Sequence, residues 1–152
     1  MEKPNLEFVT ELRVKVAAPV EVGQLAEGKR RIIDIVGGSF EGPMLRGMVR
    51  AGGADWQLVR SDNVAVLDAR YTLETDSGVT VYVQNRGIRY AETPVMERLM
   101  KGEQVAASEY YFCSTPAFET EAAELQWLRR SIFVGVGARL SDLVVIQVWR
   151  VC

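Results

Sequence analysis

Hydrophobic and polar residues alternate along most of this chain, in short runs separated by turn residues. An alternation with a period of two is typical of strands that bury one face, and many such runs predict an all-β barrel or sandwich. Glycine pairs and short polar loops, such as the loop at 75–78, supply the turns between the runs. The predicted strands are 7–16, 30–36, 44–50, 55–60, 64–74, 79–86, 108–113, 131–137 and 143–151.

Two stretches depart from this alternation and predict short helices or helical turns. In the first, Thr93 is a plausible cap, Pro94 occupies the first helical position, and apolar side chains recur four residues apart up to Gly102. In the second, residues 118–130, Thr120 is the cap and two arginines end the segment. We therefore expect one antiparallel β-barrel domain over residues 1–152, with about eight to ten strands and one or two short helices.

Composition excludes several classes of partner. The net charge is −2, the sequence pI is about 5.3, and the 18 basic residues are scattered, so nothing indicates binding to nucleic acid or to an anionic membrane. No apolar run approaches the length of a membrane span, and the first residues do not resemble a signal peptide. We expect a cytoplasmic protein with a small-molecule ligand.

The chain contains no histidine, which limits its chemistry. Histidine is the commonest transition-metal ligand and the usual proton-transfer group near neutral pH. The two cysteines, Cys113 and Cys152, are too far apart for a metal knuckle or redox pair. There is also no phosphate-binding loop. We expect no metal and no cofactor, so any proton transfer must use carboxylates, tyrosine, lysine, cysteine or water.

Residues 52–73 combine strand patterning with unusual charge. In strand 64–74 one face is apolar and includes Tyr71, while the other carries Asp68 and Arg70. This pair has two interpretations. It can be a solvated outer surface that contributes little to stability, or part of a functional site.

The neighbouring segments favour a site. Asp55 and Trp56 follow a glycine pair that allows close backbone approach, and Arg60 shares a face with Trp56. An aromatic surface beside a guanidinium can hold a carboxylate or enolate, although a core tryptophan and a surface arginine fit the pattern equally well. Strand 79–86 adds further polar side chains, and a glycine turn follows it. These are Tyr82, Asn85 and, beyond the turn, Arg89.

Four segments of the chain resemble a known family: "GGSFEGPMLRGMV", "GGADWQLVRSDNVAVLDARYTLETDSG", "YFCSTPAFET" and "WLRRSIFVGVGAR". They are similar to domain-of-unknown-function family 3237, also called uncharacterised protein family 0311, from about residue 7 to the C-terminus. The resemblance implies an antiparallel β-barrel and no established activity, although some relatives appear in natural-product or aromatic-compound metabolism. The family's recurrent polar positions fall on Asp55, Trp56, Arg60, Asp68, Arg70, Tyr71 and Asn85.

The chain departs from the family pattern at three positions. Asn63 follows Asp62 where relatives commonly have glycine, a change that a turn tolerates. Cys113 replaces an arginine and Arg129 replaces an asparagine. If the missing arginine binds an anionic substrate in relatives, the ligand here differs.

Two functions remain open from these residues. The first is a cofactor-independent cyclase, isomerase or lyase acting on a small, partly apolar, oxygenated or carboxylate-bearing molecule. Its predicted catalytic residues are Asp55, Asp68, Arg60 and Tyr71, with an aspartate desolvated by Trp56 as acid or base. Its predicted substrate-binding residues are Trp56, Arg70, Tyr82, Asn85 and Arg89.

The second function is a binding barrel that holds a hydrophobic carboxylic acid without converting it, using the same residues. A third possibility is purely structural, with Asp68 and Arg70 as a buried pair that fixes strand register. We also expect a homodimer or a higher homo-oligomer, because strand edges often pair between copies.

Overall fold

The computed structural model describes residues 1–152 and forms a closed antiparallel β-barrel. Its strands are β1 (Leu6–Val16), β2 (Val20–Gln24), β3 (Lys29–Glu41), β4 (Gly47–Val49), β5 (Ala54–Val59), β6 (Val64–Thr75), β7 (Thr80–Tyr90), β8 (Tyr111–Glu119), β9 (Phe133–Arg139) and β10 (Leu143–Val151). One α-helix, α1 (Thr93–Met100), and two 3₁₀ segments, Ala107–Glu109 and Ala123–Arg129, complete the chain.

The barrel closes through β1, which pairs with β10 on one side and with β3 on the other. From β10 the wall continues through β9, β8, β7 and β6, and β5 joins β6 to β3. The short β4 pairs with the same two strands farther along, and β2 lies at the edge of β3. The predicted all-β barrel is confirmed.

The hydrophobic core fills one end of the barrel. It contains the edge-to-face pair Phe118 and Phe133, whose ring centroids are 5.1 Å apart, and it includes Leu128 from the second 3₁₀ segment. A smaller apolar cluster at the end of β7 contains Met96 and Leu99 of α1. β7 runs from the first cluster to the second, and its buried polar residues Asn85 and Arg89 lie along the barrel wall between them.

The sequence did not predict β2, and three other strands extend well beyond their predicted ends. β3 continues through Gly37 and Gly38, which were predicted as a turn, because both glycines adopt positive φ and Gly38 packs against the backbone of β1. β7 likewise continues through Gly87 instead of turning there. β8 runs past Pro116 to Glu119, where the prediction ended at 113, and β9 pairs only with Cys113 and Ser114, so the proline interrupts no ladder on that side.

The helices begin slightly differently from the prediction. α1 begins at Thr93, with Glu92 rather than Thr93 at the cap position. The second segment is a 3₁₀ helix whose cap is Ala122, although the Thr120 hydroxyl accepts a hydrogen bond from the Ala122 amide at 3.3 Å. No helix in the protein has the length and apolar character to cross a membrane.

Candidate functional site

The barrel encloses a cavity of about 60 Å³ between the two apolar clusters, and we call it the inner cavity. Most of its wall is aliphatic or aromatic, with residues such as Ile33, Leu67 and Phe112. Polar side chains from five strands interrupt this lining: Asp55, Gln57, Tyr71, Asn85, Arg89, Ser114 and Arg139. An apolar pocket with a few converging polar groups is the usual form of a small-molecule site.

Strand register explains how residues distant in sequence meet there. Asp55 of β5 lies opposite Ala69 of β6, and Ala69 lies opposite Asn85 of β7. Their side chains therefore share one level of the inner wall. Because alanine is small, the space between the carboxyl and the amide is left open.

Asp55 is the carboxylate of the inner cavity. Its Oδ1 accepts a hydrogen bond from the Asp68 backbone amide at 2.9 Å, and its Oδ2 accepts one from Gln57 Nε2 at 3.2 Å. Burial raises the pKa of Asp55 above its ordinary value of 3.8, and the two hydrogen bonds and the charge of Arg89 only partly oppose this effect. The desolvation comes from the barrel interior, not from Trp56 as predicted, because Trp56 points outward and is 40% exposed.

Gln57 connects Asp55 to the helix beside the barrel. Its Oε1 accepts a hydrogen bond from Arg31 Nη1 at 3.4 Å, which directs its amide group toward Asp55. Arg31 also donates to the Met100 carbonyl oxygen at 3.3 Å and pairs with Glu21 at 3.1 Å. Each nitrogen of the buried Arg31 guanidinium therefore has one hydrogen-bond partner.

Four buried polar atoms facing this space have no hydrogen-bond partner in the protein: Tyr71 Oη, Asn85 Oδ1, Arg89 Nε and Ser114 Oγ. An unpartnered buried polar group costs about 1–3 kcal/mol, and native proteins contain few of them. A polar molecule in this cavity would supply the partners that these atoms lack. Burial also raises the pKa of Tyr71, so its hydroxyl stays protonated.

A second cavity, of about 340 Å³, lies between the barrel and the C-terminal end of α1, and we call it the mouth cavity. It shares Val16, Ile33, Arg89 and Arg139 with the inner cavity. The two guanidiniums therefore lie at the boundary between the cavities. Burial lowers the pKa of Arg89 to about 10 and also lowers the pKa of Arg139, and the charge of the neighbouring Arg31 adds to both shifts.

The outer face of the same strands carries the other predicted residues. Asp68 pairs with Arg70 at 3.2 Å and lies 3.8 Å from Arg86, and all three side chains are substantially exposed. Partial burial raises the pKa of Asp68, but hydrogen bonds from Arg70 and Gln84 lower it more, so that it stays below its ordinary value. The proposed buried structural pair is therefore a solvated surface pair.

The structure does not bring five of the predicted site residues to either cavity. Trp56, Asp68, Arg70 and Tyr82 alternate with inward-facing neighbours and so point outward. Arg60 lies beyond β5, in an exposed turn where it pairs with Asp62. The predicted residues that do line the inner cavity are Asp55, Tyr71, Asn85 and Arg89.

Two of the three departures from the family pattern, Cys113 and Arg129, lie outside the inner cavity. Cys113 sits between the inward-facing Phe112 and Ser114 and borders an open apolar groove on the outer surface with Tyr111 and Val136. Arg129 is exposed at the end of the second 3₁₀ segment. Replacement of an arginine by Cys113 therefore leaves the inner wall unchanged.

Sequence reasoning missed several residues of the site. Gln57 could have been found, because it is two residues from Asp55 and must share its face of the strand. Ser114 and Arg139 could not, because β8 and β9 do not pair with β5 and approach Asp55 only across the closed barrel. No group of three or more potential metal-ligating side chains lies together in the chain.

Comparison with known proteins identifies the fold and the family. The chain is 39% identical over 150 residues to the UPF0311 protein RPA1785 of Rhodopseudomonas palustris, covering 97% of this chain and 98% of that protein. The crystal structure of RPA1785, a conserved protein of unknown function, superposes with a TM-score of 0.94 over 100% of both chains. A β-barrel-like protein from Acinetobacter baumannii is 37% identical, with a TM-score of 0.88, and covers 100% of this chain and 98% of its own.

A more distantly related protein has the same fold. A Penicillium herquei protein described as an enzyme is 20% identical, has a TM-score of 0.75, and aligns over 100% of this chain and 97% of its own. At that identity the similarity shows the fold alone. The family model described as "Protein of unknown function (DUF3237)" matches residues 4–151. This chain therefore belongs to the DUF3237 family, whose curated members are named UPF0311 proteins.

Proposed function

We propose that the protein is a cofactor-independent enzyme of the cyclase, isomerase or lyase type, and that Asp55 is its acid or base. The substrate is a small, partly apolar molecule with oxygen functions or a carboxylate, held in the inner cavity. The observation that supports this proposal is a desolvated carboxyl facing a cavity with four unpartnered polar atoms. A raised pKa brings a carboxyl closer to the pH at which it can both accept and return a proton.

The residues around Asp55 supply the other groups that such chemistry requires. Asp55 would take a proton from the substrate, and the electron pair left behind would move to a neighbouring oxygen or expel a leaving group. The buried Arg89 guanidinium would stabilise the negative charge that develops on that oxygen. The Tyr71 hydroxyl and the Asn85 amide would orient the substrate. Return of the proton at another position completes an isomerisation or cyclisation without a co-reactant.

The alternative function is a barrel that binds a hydrophobic carboxylic acid without converting it. The unpartnered polar atoms support binding as well as they support catalysis. Protonation distinguishes the two functions, because a binder of anions gains nothing from a second carboxyl that faces its ligand. The presence of Asp55 in the cavity wall therefore favours an enzyme over a binding protein.

Paired aspartate variants test the proposal. Native mass spectrometry of gently purified protein and a thermal-shift screen of small carboxylic acids and lactones identify ligands, because binding raises the melting temperature. Each ligand is then incubated with wild type, Asp55→Asn and Asp68→Asn, and its conversion is followed by NMR. We expect Asp55→Asn to reduce conversion about 100-fold or more, and Asp68→Asn, on the outer face, to change it by about twofold at most.

Measuring ligand binding beside ligand conversion distinguishes the possible outcomes. A folded Asp55→Asn variant that binds the ligand but does not convert it supports the enzyme. Ligands that bind tightly but remain unconverted by wild type support the binding barrel and contradict the enzyme. Equal loss of activity in both variants contradicts the assignment of Asp55.

The cytoplasmic location and the homo-oligomer remain predictions. The outer groove beside Cys113 exposes Ile88, Tyr111 and Val136, which suits a contact between copies. Light scattering checks the oligomeric state, and a mass near 17.0 kDa would exclude a dimer.

A further inference from the structure

The fold supplies no partner for the side chains of the two buried arginines at the boundary between the cavities. Arg89 is 4% exposed and Arg139 is 8% exposed. Neither side chain takes part in an ion pair within 4.0 Å or in a hydrogen bond within the protein. Arg31, which also borders the mouth cavity, is by contrast paired with Glu21.

Two buried guanidiniums without partners are energetically unfavourable. Burying an ion without a counterion destabilises a protein even after the surroundings relax, and like charges add repulsion. The carboxylates that act on these arginines, Asp55 and Asp142, lie beyond ion-pair distance. A stable fold tolerates such a cost at a site where a ligand removes it.

The charges at this boundary specify what that ligand carries. Two unpaired guanidiniums face one carboxyl, Asp55, so an ionised Asp55 leaves a single net positive charge. The wall of the mouth cavity also carries the cation of Lys101, and Asp142 provides its one carboxylate. A monoanion at the boundary would neutralise the inner charges, and the planar fork of a guanidinium matches a carboxylate.

We propose that Arg89 and Arg139 together form a carboxylate-binding site at the boundary between the inner and mouth cavities. This proposal rests on the proposed function in one respect: it places the reactive part of the substrate in the inner cavity, beside Asp55. The substrate is then a small carboxylic acid with its anionic group at the arginines. The rest of a larger acid would extend into the mouth cavity, which is the roomier of the two.

The size of the inner cavity determines the choice of probe. An apolar cavity of about 150 Å³ binds benzene, whereas this one has about 60 Å³. A short chain therefore fits better than a ring. Butyrate supplies the carboxylate on such a chain, and butyramide is a neutral molecule of nearly the same shape.

Calorimetric titration of both probes near pH 7 tests the site. We expect wild type to bind butyrate about tenfold or more tightly than butyramide, because charge-assisted hydrogen bonds form only with the anion. Arg139→Gln and Arg89→Gln should abolish this preference. Arg86→Gln is the matched control, because Arg86 lies on the outer face of the same strand as Arg89 and should leave the preference unchanged.

Thermal unfolding of the ligand-free variants provides a second readout. Loss of a buried unpaired charge should leave the melting temperature of Arg89→Gln and Arg139→Gln equal to or above that of wild type. Equal binding of both probes to wild type would overturn the proposal. So would an undiminished preference in Arg139→Gln, or unfolding of both variants, which would reveal a structural role.

The carboxylate site and the proposed enzymatic function can fail independently in these experiments. Asp55→Asn should still prefer butyrate, because the arginines remain and a repelling carboxylate is removed. A preserved preference without conversion of any acid would refute the enzyme while supporting the carboxylate site. Conversion by wild type without a preference for anions would do the reverse.

Discussion

The inner and outer faces of β5 to β7 carry similar residues in opposite circumstances. Asp68 on the outer face is solvated, pairs with Arg70, and has a lowered pKa. Asp55 on the inner face is desolvated, has no ion-pair partner within 4.0 Å, and has a raised pKa. The Asp68 amide donates to Asp55, so the two residues are neighbours in space. The difference shows that strand alternation, more than residue type, determines which carboxyl is desolvated.

Among the variants that test this contrast, we expect the largest effect from the glycine pair that precedes β5. Gly52 and Gly53 both have positive φ, but only at Gly53 would a Cβ meet the backbone, 2.0 Å from the Arg70 carbonyl oxygen. We expect Gly53→Ala to destabilise the protein by about 1–3 kcal/mol more than Gly52→Ala, because both share the φ strain and only one adds a clash. Urea denaturation measures the difference. Equal losses would mean that close approach at Gly53 is unimportant.

The pH dependence of stability sharpens the contrast between the aspartates. Because the pKa of Asp55 is raised, the folded state holds its proton more tightly than the unfolded state does. Wild type therefore loses stability as the pH rises from the ordinary value of 3.8 through the raised one, and Asp55→Asn escapes this loss. The stability of Asp55→Asn minus that of wild type should increase as the pH rises above 3.8 and should level off above the raised pKa.

Asp68→Asn is the control for that experiment. The pKa of Asp68 is lowered, so its contribution to stability is present above the ordinary value of 3.8 and is lost only as the pH falls through the lowered one. The difference between Asp68→Asn and wild type should stay constant over the same range. A flat difference for Asp55→Asn would contradict the desolvation of its carboxyl.

We expect a smaller effect from two tyrosines, one on the inner face and one on the outer face. The Tyr71 hydroxyl is buried without a partner, whereas Tyr82 is half-buried on the outer face. Removal of an unpartnered hydroxyl should make Tyr71→Phe more stable than wild type by about 1 kcal/mol, and Tyr82→Phe should change little. Chemical denaturation of the ligand-free proteins measures both. A loss of stability in Tyr71→Phe would mean that the hydroxyl has a partner.

The smallest expected effect belongs to the outer charge pair. Arg70→Ala removes an exposed ion pair with Asp68, and such pairs contribute little to stability. Its free energy of unfolding should fall less than in any variant above, and the fall should shrink in high salt. A large loss that is insensitive to salt would restore the structural interpretation of the pair.

Much of the fold could be predicted from the sequence because β6 obeys the period of two strictly. Its buried positions Leu67, Tyr71 and Leu73 alternate with Asp68 and the other outward residues, as the pattern predicted. Three strands were predicted too short because glycine or proline lies inside them. Gly37, Gly38, Gly87 and Pro116 usually mark turns, but here they accommodate strand irregularities or close packing.

The site was harder to predict because β5 reverses the usual pattern. Trp56 and Leu58 have the character of core residues yet face outward, while Asp55 and Gln57 face inward. Hydrophobicity alone therefore favoured the wrong face, as is expected where a site overrides core formation. Arg139 comes from a strand that reaches the site only through barrel closure, so no local pattern could indicate it.

An NMR titration of the side-chain carboxyl carbons tests the central claim directly. Asp55 and Asp68 can be followed in one sample and assigned with Asp55→Asn and Asp68→Asn. The predicted result is a midpoint for Asp55 above the ordinary value of 3.8 and a midpoint for Asp68 below it. A midpoint for Asp55 at or below 3.8 would mean that the inner cavity does not desolvate its carboxyl, and would remove the acid or base from the proposed mechanism.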